Sequence, residues 1–283
     1  MGSLHDELEN MDLKDKTVLI TGSTDGVGRL VARRLASQGA HILIHGRDRC
    51  RGKQVVDQIQ AVGTGSAVFL PADFSSLAEV RRLAKIVPRT CNRLDVLVNN
   101  AGIGSGGVAG KRETGQDGYE LRFAVNYLAG FLLTRLLLPL MMASNPTRIV
   151  NVSSLGQHPI DFDDVMLTHG YTGGRAYAQS KLAQIMFTFD LARELDPATV
   201  TANCLHPATY MATTMVRQSG VTPISTVDEG AEAIVNLAIS QGLDGHSGEF
   251  YNGLQPSRAN AQAYDVRARE RLRELSMRLA GLP

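Results

Sequence analysis

The chain has 283 residues, of which 43% are hydrophobic and 20% are charged, and its formal net charge is +1. Such a chain can bury a large core and fits one α/β domain. The balanced charge argues against a dedicated binder of nucleic acid or another polyanion. Cys50, Cys91 and Cys204 have no metal-ligand spacing, so we expect neither a disulfide scaffold nor a metal site, and we expect a cytoplasmic location. No apolar run reaches the length of about 18 residues that a membrane span requires, so we also expect no transmembrane span.

Strand and helix patterns alternate along most of the chain, after a polar leader at residues 1–15. The predicted strands are 17–21, 41–45, 66–71, 94–98, 147–153, 199–205 and 248–251. The predicted helices lie near 26–38, 48–62, 75–90, 115–143, 174–195, 227–241 and 258–280. Because strands and helices alternate and the strands are apolar throughout, a parallel sheet covered on both faces is expected.

A glycine-rich turn follows the first predicted strand. It contains Gly22, Gly26 and Gly28, and the residues after it repeat at helical spacing. Backbone N–H groups at the start of such a helix can bind a pyrophosphate, and glycines let the phosphates approach closely. The alternative is a helix N-terminus that needs its glycines only for packing.

The end of the second predicted strand indicates which dinucleotide the turn would accept. An NAD-specific site usually has a carboxylate there, which binds the ribose 2′-OH and repels a 2′-phosphate. This chain has no acid at the strand end, and Arg47 follows it directly. A guanidinium can bind phosphate through two hydrogen bonds, so we predict NADP(H) rather than NAD(H). The alternative is that Arg47 is an ordinary surface arginine at a helix start. We interpret Asp48 as a charge at a helix N-terminus and not as a ribose ligand.

Tyr177 and Lys181 are four residues apart and therefore share one face of a predicted helix. A phenol beside an ammonium is an acid/base pair. The cation favours the phenolate and can lower the pKa of the tyrosine from about 10 toward neutrality.

Together these motifs resemble the classical short-chain dehydrogenase/reductase family over nearly the whole chain. The shared motifs are the turn at Thr21–Gly28, Asn99-Asn100-Ala101-Gly102, Asn126, Asn151-Val152-Ser153-Ser154, Tyr177 with Lys181, and His206-Pro207-Ala208, where the family usually has Pro-Gly. Segments 125–134 and 247–279 are most similar to its retinol-dehydrogenase-like branch.

The resemblance implies a single Rossmann-type, doubly wound domain over residues 16–283. Its seven-stranded parallel sheet would have the order 3-2-1-4-5-6-7, with helices on both faces. A mobile substrate lid is implied at about 206–226. An insertion at about 155–173 is longer than compact family members have, and it would either close over the site or form a solvated surface loop.

The resemblance also assigns roles to the motif residues. Tyr177 would transfer a proton, Lys181 would lower the Tyr177 pKa and bind the nicotinamide ribose, and Ser154 rather than Ser153 would hold the substrate oxygen. Asn126 would anchor a water near Lys181, or would simply be a buried side chain bonded to backbone. The implied cofactor-binding residues are Gly22, Ser23, Asp25, Gly26, Val27, Gly28, Arg47, Asp73, Phe74, Asn99, Ala101, Gly102, Tyr177, Lys181, Pro207, Ala208 and Thr209. Asp73 is equally well interpreted as the N-cap of the next helix.

The expected function is that of an NADP(H)-dependent oxidoreductase, which interconverts a ketone or aldehyde and an alcohol on a bulky apolar small molecule. Two alternatives are a non-redox enzyme on the same scaffold, such as an epimerase, dehydratase or cyclase, and a cofactor-sensing binding protein. The only expected partner is the small-molecule substrate, and a homo-oligomer is left open.

Overall fold

A computed structural model describes residue 8 and residues 11–106 and 110–283. The described residues form one sheet whose strands are β1 (Thr17–Ile20), β2 (His41–Gly46), β3 (Ser66–Pro71), β4 (Val96–Asn99), β5 (Thr147–Val152), β6 (Val200–His206), β7 (Phe250–Asn252) and β8 (Gln255–Ser257). The strand order is β3-β2-β1-β4-β5-β6-β7-β8. The first seven strands pair in parallel, so the Rossmann-like fold and the predicted order are confirmed.

The strand β8 corrects the predicted count of seven. It pairs antiparallel with β7 across a tight turn at Gly253, whose φ is +58°. All three of its residues are exposed, and the middle one is Pro256. A short, polar edge strand with a proline lacks the apolar pattern that identifies a buried strand, which is why the sequence did not reveal it.

The α-helices of the described residues are α1 (Gly26–Ser37), α2 (Arg49–Val62), α3 (Leu77–Thr90), α4 (Ala129–Ala143), α5 (Gly173–Glu194), α6 (Thr214–Gln218), α7 (Val227–Ile239) and α8 (Val266–Leu279). A π-helical turn, Phe123–Leu128, leads into α4. The predicted helix 115–143 therefore begins too early, because Gly115 and Gly118 form a turn in which Gly118 has a φ of +82°. The predicted helix 258–280 is divided into a 3₁₀ turn, Ala261–Tyr264, and α8.

Two apolar cores cover the two faces of the sheet. Leu19 and Leu43 point to the core shared with α3, α4, α5 and α8, whereas Val18 and Ile42 point to the core shared with α1, α2 and α7. Because both faces are buried, the strands are apolar at successive positions instead of alternating. The predicted polar leader lies mostly outside the described residues, but Leu8 and Leu13 are buried in the second core.

One helical stretch of the described residues, Phe123–Ala143, is long and apolar enough by length and composition to cross a membrane. This stretch contains Asn126, Thr134 and Arg135, so a search for an uninterrupted apolar run did not identify it. Within the fold, 67% of its most apolar window is buried, so packing between the sheet and its neighbouring helices already accounts for its hydropathy. Neither the fold nor this helix supports the expected cytoplasmic location.

The insertion at 155–173 is part of the packed structure and not a solvated excursion. Ile160, Val165 and Leu167 are buried. The amide of Gln262 bonds both backbone groups of Ile160, at 2.6 and 3.1 Å. The amide of Gln179 on α5 accepts from Asp161 N at 3.1 Å and donates to Val165 O at 2.8 Å. These anchors argue against a loop that opens and closes.

Candidate active site

The motif residues meet at the carboxyl edge of the parallel strands, where the chain order reverses between β1 and β4. The glycine-rich turn follows β1, Asn99-Asn100-Ala101-Gly102 ends and follows β4, and Ser153-Ser154 follows β5. In open α/β sheets, ligands bind in the crevice at this switch point. The topology therefore places the predicted site where the fold forms one.

The glycine-rich turn has the backbone of a phosphate cradle. Gly22 and Gly26 have φ values of +65° and +52°, which residues other than glycine rarely adopt. A Cβ on Gly28 would lie 2.5 Å from Asn100 Nδ2 and 2.6 Å from Gly22 O. The turn leads into the N-terminus of α1, so its backbone fits the pyrophosphate of a dinucleotide. The side chains of Ser23 and Val27 point inward, where Ser23 Oγ donates to Ile20 O at 2.7 Å and Val27 packs in the core.

Asn100 fixes the turn against the loop after β4, a role that the sequence analysis missed. Its Nδ2 donates to Thr21 O at 2.8 Å and to Gly22 O at 3.1 Å. Thr21 Oγ1 in turn accepts from the backbone N–H of Asn100 and of Ala101, both at 2.9 Å. A Cβ on Gly22 would lie 2.8 Å from Ala101 Cα, so the two loops are in direct contact. The asparagine next to the recognised Asn99 was the available signal.

His45 is a second missed residue, and it connects the glycine-rich turn to the residue that follows β3. Its Nδ1 accepts from Gly22 N–H at 3.2 Å, so Nε2 carries the proton that is donated to Ala72 O at 3.2 Å. Burial lowers the pKa of His45 to about 4, so the ring is neutral at neutral pH. The centroids of the His45 and Phe74 rings lie 4.2 Å apart, and both side chains are buried. The sequence pattern offered no signal for these contacts.

The charged residues beside the turn include Asp25, Arg47 and Arg51. Asp25 is the N-cap of α1, and its Oδ1 accepts from Gly26 N–H at 2.7 Å. Arg51 Nη1 lies 3.3 Å from Asp25 Oδ2. Arg47 is exposed at the end of β2 and makes no hydrogen bond or ion pair with the described residues. Asp48 caps α2 by accepting from Arg51 N–H at 3.0 Å, as the helix-charge interpretation requires.

The two serines after β5 differ in what their hydroxyls contact. Ser153 is buried, and its Oγ donates to Lys181 O at 2.7 Å. Ser154 is partly exposed, and its side chain interacts with the phenol of Tyr177, which favours the phenolate and acts to lower the pKa of Tyr177. Ser154 Oγ also accepts from Gly156 N–H at 3.0 Å. The structure therefore brings Ser154, and not Ser153, to the acid/base pair.

Lys181 lies over the ring of Tyr177, with Nζ 5.7 Å from the ring centroid. Its ammonium donates to Val152 O at 2.9 Å and to Gln184 Oε1 at 3.0 Å. Burial lowers the pKa of Lys181 to about 7. Burial also raises the pKa of Tyr177, an effect that the interaction with Ser154 only partly offsets. The pKa of Tyr177 is therefore raised and not lowered as expected, because burial disfavours the phenolate. A lowering of this pKa by Lys181 stays a prediction.

Asn126 lies in the π-helical turn and is buried. Its Oδ1 accepts from Ile103 N–H at 2.8 Å, and its Nδ2 donates to Ile103 O at 3.1 Å and to Ser180 Oγ at 2.9 Å. These bonds match the alternative of a buried asparagine bonded to backbone. A Cβ on Gly102 would lie 3.3 Å from Asn126 Oδ1 and 3.6 Å from Lys181 Nζ, so the loop after β4 passes close to both side chains.

Two predicted cofactor residues, Asn99 and Asp73, make hydrogen bonds within the protein. Asn99 is buried, and its Nδ2 donates to Thr134 Oγ1 at 2.9 Å and to Asn151 Oδ1 at 2.8 Å, so its side chain links β4 to β5 and α4. Asp73 Oδ1 accepts from Ser75 N–H at 2.9 Å. The N-cap of α3 is Ser76, three residues after Asp73, so the interpretation of Asp73 as the N-cap was wrong.

The predicted lid at 206–226 crosses the glycine-rich turn. Thr214 Oγ1 donates to Asp25 Oδ2 at 2.9 Å, and Met215 Cγ lies 3.1 Å from where a Cβ on Gly104 would be. The short helix α6 has no buried residue, so a helix packed permanently on the core is not what the structure shows. Pro207, Ala208 and Thr209 line a cavity of about 380 Å³ together with Ile224 and residues of α7 and the β7–β8 turn. Mobility of the segment stays a prediction.

A buried ion pair holds the loop after β4 in place. Glu120 and Arg122 are 1% and 3% exposed, and Arg122 Nη1 lies 3.5 Å from Glu120 Oε1. Arg122 also donates to Gly104 O and Ser105 O, both at 3.1 Å. Its Nη1 donates to Tyr171 Oη at 2.7 Å, so one guanidinium connects the loop after β4 to the insertion. The sequence analysis gave no indication of this cluster.

The comparisons with known proteins agree with this geometry. The family model for short chain dehydrogenase matches residues 16–222. The chain therefore belongs to the short chain dehydrogenase family and is an oxidoreductase of the class that acts on CH–OH groups. Members of this family bind a nicotinamide cofactor, and the cradle at the start of α1 fits one.

The curated relatives include retinol dehydrogenases, which confirms the predicted branch. Homo sapiens retinol dehydrogenase 12 is 33% identical over 285 residues, covering 96% of this chain and 89% of that protein. Homo sapiens retinol dehydrogenase 11 is 35% identical over 285 residues, covering 96% and 88%.

Solved structures share the fold over most of its length. An uncharacterized protein from Mycobacterium paratuberculosis matches with a TM-score of 0.80 at 27% identity, covering 99% of this chain and 98% of that one. The NADP active-site complex of Pseudomonas aeruginosa RhlG matches with a TM-score of 0.70 at 27% identity, covering 86% and 96%.

Proposed function

We propose that the protein is an NADP(H)-dependent oxidoreductase that interconverts an aldehyde or ketone and an alcohol on a bulky apolar molecule. The observation that carries the proposal is the contact between Ser154, Tyr177 and Lys181 beside the glycine cradle. A hydroxyl, a phenol and a buried ammonium meet there at one point of the crevice. When bound, the nicotinamide supplies or accepts the hydride.

The residues of the chain would handle the proton and the oxygen charge. Ser154 would hydrogen-bond the substrate oxygen and stabilise negative charge as it develops there. Tyr177 would donate its proton to that oxygen in reduction and accept it in oxidation. Because burial raises the pKa of Tyr177, the phenol is protonated at neutral pH, which is the form that reduction requires. This supports Tyr177 as the proton donor when a carbonyl is reduced.

Preference for NADP(H) is supported by the end of β2. No carboxylate ends this strand, and the guanidinium of Arg47, which has no partner among the described residues, follows the strand directly and could bind a 2′-phosphate. The relative RhlG is described as an NADP complex. The ribose-binding role of Lys181 and the water-anchoring role of Asn126 belong to the same proposal.

An apolar substrate is supported by the residues around the crevice. Leu155, Tyr210, Met215 and Ile224 are 45%, 51%, 39% and 70% exposed. They account for four of the eight exposed large hydrophobic side chains among the described residues. Leu155 follows Ser154 directly, and the other three belong to the segment that crosses the site. Clustered exposed apolar side chains mark a binding surface rather than ordinary surface.

The test is NADPH oxidation by the purified protein with a panel of carbonyl compounds. Because relatives are named retinol dehydrogenases, retinal is the first substrate, followed by apolar ketones and by short polar carbonyls of the same type. We expect oxidation with the apolar compounds, formation of the alcohol, and loss of both in Tyr177→Phe. NADPH binding without consumption across the apolar panel would refute the proposal.

A further inference from the structure

An acidic side chain lies beside the place where the proposed cofactor would carry its extra phosphate. In this fold the ribose 2′ position lies at the end of β2. The glycine-rich turn borders the end of β2, since a Cβ on Gly46 would lie 2.6 Å from Thr24 Cγ2 and 2.7 Å from Thr24 Oγ1. Asp25 follows Thr24, and Arg47 follows Gly46, so a carboxylate and a guanidinium flank the same position.

The carboxylate of Asp25 already has several partners. Although partial burial raises its pKa, the hydrogen bonds from Gly26 N–H and Thr214 and the nearby charges of Arg51 and Arg29 together lower the pKa below its ordinary value. Asp25 is therefore ionised at neutral pH. An ionised carboxylate at this position opposes the binding of a phosphate.

Arg51 connects this carboxylate to the start of α2. Its Nη1 lies 3.3 Å from Asp25 Oδ2, and its Nε lies 3.4 Å from Asp48 Oδ2. The Arg51 side chain is 54% exposed, so its guanidinium can turn toward a ligand at the strand end. A 2′-phosphate bound beside Arg47 would compete with Asp25 for Arg51.

We propose that Arg51 is a second phosphate-binding cation beside Arg47, and that Asp25 is a specificity-determining residue that limits the preference for NADP(H) over NAD(H) by holding Arg51. This inference rests on the proposed cofactor site. It differs from that proposal because it predicts a gain of NADPH affinity when an acidic residue of the glycine-rich turn is removed.

The first experiment compares NADPH and NADH binding to the full chain and to Asp25→Ser, by titration of cofactor fluorescence at fixed salt. Serine preserves the N-cap of α1, so the helix start is retained. Exposed ion pairs are weak, so we expect the NADPH dissociation constant to fall by about threefold to tenfold. The NADH dissociation constant should stay the same. Arg51→Ala should raise the NADPH constant by about the same factor and leave NADH unchanged.

The second experiment repeats Asp25→Ser in the Arg51→Ala background. If Asp25 acts by holding Arg51, its substitution should then have less than half of its effect on NADPH binding. Equal effects in the two backgrounds would overturn the inference, because Asp25 would then act only by direct repulsion. The gain in Asp25→Ser should also shrink at high salt, where exposed charges are screened.

Two variants serve as matched controls. Arg49→Ala also removes one positive charge from the first turn of α2, but the Arg49 side chain interacts with Glu79 and not with Asp25. This variant should change NADPH binding less than Arg51→Ala does. Thr214→Val removes the other side-chain bond of Asp25 and should affect both cofactors equally.

The remaining outcomes separate this inference from the proposed function. If the unmodified protein binds neither cofactor, both are refuted. If it binds NADPH but Asp25→Ser leaves the ratio of the two dissociation constants unchanged, only the inference on Asp25 is refuted. If Asp25→Ser loses the same affinity for NADPH and for NADH, Asp25 stabilises the backbone of the glycine-rich turn. That result would overturn the inference as well.

Discussion

Replacing Lys181 with methionine removes a buried ammonium and keeps most of its apolar stem. Lys181 is 5% exposed, and burial lowers its pKa from 10.5 to about 7. The unfolded chain therefore binds one more proton than the folded chain between about pH 7 and pH 10, and stability should rise with pH in that window. Below pH 7 both states hold the proton, and the full cost of burying the charge remains.

The size of this effect follows from the two pKa values. Integrating the difference in bound protons from pH 7 to pH 9 gives an increase of about 2 kcal/mol in the free energy of unfolding. Lys181→Met has no titrating group at this position, so it should lack this increase. Other groups titrate in both proteins, and the difference between the two curves isolates Lys181.

The assay is urea unfolding of both proteins at several pH values between 6 and 9, with the slope on urea checked for constancy. We expect the wild-type curve to approach that of Lys181→Met as the pH rises, and we expect the variant to have no oxidoreductase activity. Curves that stay parallel would show that the pKa of Lys181 is not lowered in the folded protein.

The other predictions concern the phenol, the phosphate site, the ion pair and the lid. Tyr177→Phe should reduce turnover by about 10²–10⁴-fold and leave NADPH affinity within a few-fold, since proton transfer is lost but the ring remains; a tenth of the wild-type rate would contradict its role. Arg47→Ala should weaken NADPH binding by about tenfold to a hundredfold and NADH binding much less; equal losses would show that Arg47 does not read the phosphate. Arg122→Met should lower the free energy of unfolding by about 3–5 kcal/mol, because it leaves the carboxylate of Glu120 buried without its cation; a loss below about 1 kcal/mol would mean that the site is hydrated. Segment 206–226 should exchange its amide hydrogens rapidly without ligand and be protected with NADP and a product-like ligand; strong protection without ligand would exclude a lid.

The sequence by itself determined the order of elements and the main chemical motifs. Apolar runs of strand length alternate with helical periodicity, so the parallel sheet followed from patterns within single segments. The strand order followed from the resemblance to the family and not from these patterns. The glycine-rich turn and the pair Tyr177 and Lys181 are also local, because their geometry depends only on the backbone between neighbouring positions. For the same reason the missed elements have weak local patterns: β8 is short and polar, and the start of the helix before Asn126 is set by a turn.

Only the tertiary structure decided what each side chain contacts. Nothing in the sequence shows that Asn99 bonds β5 while its neighbour Asn100 holds the glycine-rich turn, since alternate residues of an extended chain point in opposite directions and the partners lie far away along the chain. The pairing of Asp25 with Arg51 joins residues that are 26 positions apart. The pKa of Tyr177 likewise depends on how deeply the assembled fold buries the phenol, and this burial reversed the shift that the nearby lysine alone would predict.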